Sequence, residues 1–107
     1  MPIVTDYELR LYGTEDGWSG VHGSITLYSE KKNLGYIRFI AENAASRPDD
    51  YHADNKIVMY LPISRFRDTV DMLRNEKPIF YNFIQGHAIL STGTEPVGER
   101  VAEICIL

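Results

Sequence analysis

Pro62-Ile63-Ser64-Arg65-Phe66-Arg67-Asp68-Thr69-Val70-Asp71-Met72-Leu73-Arg74-Asn75 is the only stretch of the chain with a helical period. Ile63, Phe66, Val70 and Leu73 recur at steps of three, four and three, while Arg65, Arg67, Asp68, Asp71 and Arg74 take the other side. That pattern predicts one amphipathic helix with Phe66, Val70 and Leu73 in the core. Pro62 supplies the backbone angle favoured in a first helical turn, and Asn75 followed by Pro78 ends the run. Arg67 and Asp71 stand one turn apart and predict an ion pair.

Everything on either side of this helix reads as strand. After it, residues 79–84, 87–92 and 101–107 are rich in β-branched and aromatic side chains, with Gln85-Gly86 and Thr94-Glu95-Pro96-Val97-Gly98 as turns. Before it, residues 56–61 and 36–40 predict strands. So does the alternation of Val21, Gly23, Ile25 and Leu27 against His22, Ser24, Thr26 and Tyr28, and that of Tyr7, Leu9 and Leu11 against Glu8 and Arg10. Glu30-Lys31-Lys32-Asn33 reads as a hairpin connection. Residues 42–55, with Pro48 and several Asp and Asn, show no period and predict a long loop, the first place to look for a lid.

Short connections join antiparallel neighbours, and a single helix leaves little room for parallel crossovers. The expectation is therefore an α+β fold of order ββββαβββ: a mostly antiparallel, strongly curved sheet of six to seven strands with one amphipathic helix. One helix covers only part of such a sheet, so the remainder must close as a barrel or be covered by another copy, and a homodimer is expected.

The 107 residues fit a single globular domain, residues 1–107, and 44% hydrophobic content suits a chain that folds. No apolar run approaches the roughly 20 residues needed to cross a bilayer. The start of the chain lacks the basic and apolar parts of a secretory signal, which gives a cytoplasmic expectation. The one cysteine, Cys105, excludes an intramolecular disulfide and a multi-thiolate metal site, and its neighbours Ile104 and Ile106 suggest a packed strand. A net charge of −4 disfavours double-stranded nucleic acid.

No catalytic constellation stands out. His87 and Ser91 share a strand side, but four residues of extended chain hold them about 13 Å apart. Gly93 and Gly98 bracket a loop whose Glu95 and Glu99 would repel a phosphate. His52 lies in Asp49-Asp50-Tyr51-His52-Ala53-Asp54, which could offer a nitrogen and carboxylates, yet no second histidine is spaced for a recognisable metal site. No cofactor is expected. Tyr28, Lys31, Lys32, Tyr36 and Arg38 gather basic and aromatic groups around one hairpin, and with Tyr60 on the next strand they form the candidate ligand-binding set. Rings that stack on bases beside cations that neutralise phosphates are what single-stranded nucleic acid requires.

Lys32-Asn33-Leu34-Gly35-Tyr36-Ile37-Arg38-Phe39 resembles the strand signature of RNA-recognition-motif domains at Lys32, Gly35, Tyr36, Ile37 and Phe39. It departs at Asn33, where that family has glycine, and at Leu34, where it has a stacking aromatic. No helix precedes the segment as that fold would require, so no function is carried over. The run of four strands before a helix is similar in element order to Whirly and Pur-type single-strand-binding folds, with no shared motif.

The leading expectation is a non-enzymatic binding or interaction module whose partner the sequence does not name, with single-stranded nucleic acid as its most specific form and an acidic protein or a small anion as the others. The alternative is a small enzyme using His22 or His52 as acid or base in a pocket closed by residues 42–55.

Overall fold

The computed structural model describes residues 2–13, 20–44, 48–94 and 97. In chain order they form β1 (Asp6–Leu11), β2 (Val21–Ser29), β3 (Lys32–Ile40), β4 (Tyr51–Ala53), β5 (Lys56–Pro62), a 3-10 turn (Ile63–Arg65), α1 (Phe66–Asn75), β6 (Ile79–Ile84) and β7 (His87–Thr92). The fold is α+β and mostly antiparallel, with one helix, as the sequence predicts. The seven strands divide into a five-stranded sheet of order β1-β2-β3-β5-β4 and a two-stranded β6-β7 hairpin. The expected final strand, residues 101–107, and Cys105 within it lie outside the described residues, as does most of the turn at 94–98.

Three hairpins use one device, a two-residue turn with both residues at positive φ. Glu30 and Lys31 stand at 47° and 75°, Asp54 and Asn55 at 53° and 63°, and Gln85 and Gly86 at 50° and 81°. Such turns match the natural twist of the strands they join. The Asp54-Asn55 turn overturns part of the long loop expected over residues 42–55, because Tyr51–Ala53 returns along β5 as β4, pairing Tyr51 with Val58 and Ala53 with Lys56. A three-residue strand is too short to show an alternation in sequence.

With β4 outermost, β5 is left to run parallel to β3, Gly35 beside Ile57 and Arg38 beside Tyr60. The approach there is close. Gly35 sits at φ 137°, and a Cβ built on it would collide with the backbone of Ile57.

The inner face of the large sheet carries Ile25, Leu27, Ile37, Phe39, Ile57 and Met59, and these pack with Ile79, Tyr81 and Ala88 of the hairpin and with Leu73 of α1. Within the chain, β6 and β7 therefore cover much of the area that one helix could not, while Leu9 and Leu11 at the β1 end of the same face stay exposed. On α1, Leu73 and Thr69 are buried. Phe66 and Val70 are half-buried against the core, Phe66 meeting the edge of Phe39 at a centroid distance of 4.9 Å. Among the described residues the helical ion pair is Arg65–Asp68 at 3.7 Å, two to three residues before the expected Arg67–Asp71 pair, and it is exposed enough to contribute little.

Two seams join the sheets. At one, the N-terminal segment crosses between them: Ile3 bridges Phe80, the Val4 N–H donates to the Ile79 carbonyl (2.7 Å), and the Thr5 N–H then donates to the Tyr28 carbonyl (2.8 Å). At the other, the Asp50 carboxylate accepts the main-chain N–H of Tyr60 in β5 (2.9 Å) and of Ala88 in β7 (3.1 Å). Asp50, within the expected loop, is thus an anchor. Between the seams the Tyr81 hydroxyl, fully buried, donates to the Tyr36 carbonyl at 2.8 Å. Burial, and after it the Asp50 carboxylate, push its ionisation well above the ordinary phenol range, against a lowering hydrogen bond with the Met59 main chain. The α1 helix is too short and too polar to cross a membrane.

Candidate functional site

The outer face of the large sheet is set by the same alternation that builds the core. Because Ile25, Leu27, Ile37 and Phe39 point inward, Ser24, Thr26, Tyr36 and Arg38 must point outward. Register then brings them together: Ser24 lies opposite Arg38, Thr26 opposite Tyr36, Arg10 opposite Ser24, and Arg38 beside Tyr60. The result is an open cleft of about 530 Å³ whose walls include Arg10, Tyr12, Tyr36, Arg38 and Tyr60. Ser24 and Thr26 form its floor. Both are buried, although the alternation reads them as the polar, solvated side of β2.

Arg38 is the centre of the cleft. Its guanidinium carbon stands 5.5 Å from the centroid of the Tyr36 ring, and its Nη1 donates to the Tyr60 hydroxyl at 3.2 Å. The Tyr51 ring follows Tyr60 at 6.5 Å, so a row of phenols runs across β3, β5 and β4. Burial by itself would lower the Arg38 pKa, but the hydroxyls of Tyr60 and Tyr51 more than offset this and leave it raised. The guanidinium stays charged throughout the ordinary pH range. Among the described residues no carboxylate lies within ion-pair distance of it, whereas Arg10 is paired with Glu8 at 3.3 Å. Asn33 holds Tyr36 in place, its side-chain amide donating to the phenol oxygen at 3.3 Å. Tyr12 and Ser24 share a longer hydroxyl contact of 3.4 Å.

The six expected ligand-binding residues separate into two groups. Tyr36, Arg38 and Tyr60 converge in the cleft. Tyr28 is on β2 opposite Asp6 and Asn33, at the cleft's far end and outside its lining. Lys31 occupies the left-handed hairpin turn and Lys32 opens β3 opposite Ser29. Six residues of strand place Lys32 roughly 20 Å from Arg38, so the basic hairpin tip is a separate feature. Sequence reasoning missed Arg10, Tyr12 and Tyr51. Arg10 was available from its place on the polar side of β1, but Tyr12 and Tyr51 come to the cleft through register and a hidden strand.

The histidines stand elsewhere. His22 sits at a bulge in β2, between the Val21–Ile40 and Gly23–Phe39 pairs, and uses its main-chain carbonyl to accept the Tyr12 N–H (3.0 Å). His52 is exposed on β4, within the stretch expected to close over it. Its ring lies 5.8 Å from Phe83, beside a smaller cavity of about 220 Å³ that includes Tyr81 and Asn82. Among the described residues, no three His, Cys, Asp or Glu side chains gather as a cation site.

No protein-family model matches the chain, and no curated protein or solved structure is significantly similar to it.

Proposed function

We propose that this chain is a non-enzymatic binding module that takes single-stranded nucleic acid along the outer face of its large sheet, with Tyr36, Arg38 and Tyr60 as the central contacts. The observation that supports the reading is Arg38: a permanently charged guanidinium, without a carboxylate partner among the described residues, held between the Tyr36 ring and the Tyr60 hydroxyl in an open cleft. A phosphate would supply the missing counter-charge, and the bases on either side would find ring faces on which to stack. The cleft volume lies within the range of small-ligand sites, enough for one or two nucleotide units at a time. The net charge of −4 keeps duplex affinity low while leaving this local cation available. Self-association belongs to the same reading, since the end of the sheet at β1 is unpaired among the described residues.

Titration of a labelled thymidine oligonucleotide at two salt concentrations tests the assignment. Tyr36→Ala should lose a stacking surface worth roughly 1 to 3 kcal/mol, at unchanged salt dependence. Arg38→Ala should lose affinity and also lower the logarithmic salt slope by about 0.7 for the one phosphate contact removed. Lys56→Ala, on β5 next to the Asp54-Asn55 turn, should behave as wild type. Saturable binding of an acidic peptide with none of the oligonucleotide at low salt would replace nucleic acid by an acidic protein as the partner.

A further inference from the structure

We infer that β1 is a self-pairing edge: a second copy of the chain adds its own β1 antiparallel to the first, with the twofold axis at Leu9. The inference deepens the self-association just proposed by naming its surface and register. Within the chain, β1 pairs with β2 from Asp6–Tyr28 to Leu11–Gly23, and the Tyr12 N–H continues the ladder to the His22 carbonyl. Antiparallel partners alternate between bonded and non-bonded pairs. Counting back from Tyr12, the even-numbered residues Arg10, Glu8 and Asp6 direct their main-chain groups to β2. Tyr7, Leu9 and Leu11 aim theirs outward, and among the described residues nothing receives them.

This edge lacks the usual protections. It carries no proline and no inward charge, and it exposes two leucines, Leu9 at 41% and Leu11 at 70%. Its charges choose the partner and the register. Centring the twofold on Leu9 places Glu8 of each copy opposite Arg10 of the other, and Tyr7 opposite Leu11. The outward N–H and C=O groups of Tyr7, Leu9 and Leu11 then form about six intermolecular hydrogen bonds. Moving the axis to Arg10 sets Arg10 against Arg10, and moving it to Glu8 sets Glu8 against Glu8 at the centre with Asp6 opposite Arg10 on either side; each carries a destabilising like-charge pair that the Leu9 register does not have. The exposed Glu8–Arg10 pair within one chain already shows that the two side chains reach the same space. Pairing would also make the two outer faces one continuous surface, with the β3 strands of the two copies, and hence the two Arg38 clefts, about 24 Å apart.

The test is a charge exchange read by sedimentation, with circular dichroism to check each fold. Wild type should be a dimer at high concentration. Glu8→Arg and Arg10→Glu each oppose like charges across the twofold and should weaken self-association by about tenfold or more. An equimolar mixture of the two variants restores both opposite-charge pairs only between unlike chains, and should regain the dimeric mass. As a second readout on the unaltered protein, the Leu9 and Leu11 amides should be protected from hydrogen exchange at high concentration and lose that protection on dilution. A dimer whose Leu9 and Leu11 amides exchange freely, or a mixture no heavier than its components, would overturn the β1 register while leaving self-association standing. A wild-type monomer at every concentration would remove both.

Discussion

Replacing Asp50 by alanine should loosen the joint between the two sheets. Its carboxylate is the single acceptor for two main-chain donors on different sheets, the Tyr60 N–H at 2.9 Å and the Ala88 N–H at 3.1 Å. A hydrogen bond to a charged group contributes about 1.5 to 3 kcal/mol, and a donor left buried without a partner costs about 1 to 3 kcal/mol. Asp50 is half-buried, so water can reach part of the site. The two bonds together should therefore be worth about 2 to 4 kcal/mol, below the simple sum of two buried donors. Against a total of about 5 to 15 kcal/mol for a domain of this size, that is a large share.

Urea unfolding followed by circular dichroism reads the effect directly. With a slope of about 1 to 3 kcal/mol per molar, the midpoint of Asp50→Ala should fall by roughly 0.7 to 4 M. Asp50→Asn keeps one acceptor oxygen and turns a donor toward the other N–H, so it should fall between alanine and wild type. Asp49→Ala, its exposed neighbour, should stay within about 0.5 kcal/mol. An Asp50→Ala midpoint equal to that of wild type would show that the apolar contacts of β5 with β6 and β7 hold the seam without the carboxylate, and the reasoning would be wrong.

Gly35→Ala should be destabilised by at least about 1 to 3 kcal/mol from backbone conformation alone, and by more once the new methyl meets the Ile57 backbone, as a thermal or urea midpoint would record. A soluble variant with wild-type stability would mean that β3 and β5 do not approach as described. Tyr81 predicts an alkaline limb. Its folded ionisation is raised, so its contribution is complete below about pH 10 and is lost as pH rises above that, because the unfolded chain releases the proton first, at up to about 1.4 kcal/mol per pH unit. Tyr81→Phe should be less stable near neutrality by about 1 kcal/mol for the lost hydrogen bond, yet have a flatter decline above pH 10. Parallel slopes for the two proteins would refute the assignment.

Much of the fold was legible because local periods are physical consequences of burial. Ile63, Phe66, Val70 and Leu73 can share one face only on a helix, and Ile25 and Leu27 can share one only on a strand. The hairpin turns at Glu30-Lys31 and Gln85-Gly86 lie where polar or glycine residues interrupt those periods. What stayed hidden was β4. Tyr51–Ala53 has too few residues for a period, and its turn, Asp54-Asn55, was absorbed into a run of similar polar residues. With β4 missing, the parallel pairing of β3 with β5 was hidden too, since without an outermost hairpin residues 42–55 read as a plain loop.

The candidate site divides along the same line. Alternation alone puts Tyr36 and Arg38 on the outer face of one strand, and the chemistry of a phenol beside a guanidinium follows from residue type. Which further side chains share that face is a matter of register. Arg38 meets Tyr60 because β3 and β5 run parallel in one register, Tyr12 and Arg10 arrive because β1 pairs back on β2, and Lys31 and Lys32 drop out because the same hairpin carries them to its tip. Local sequence thus determined which faces the elements have, since facing depends on a residue's immediate neighbours. Only the tertiary structure decided which faces meet, because register and seam contacts such as those of Asp50 and Tyr81 join residues tens of positions apart, where no period connects them.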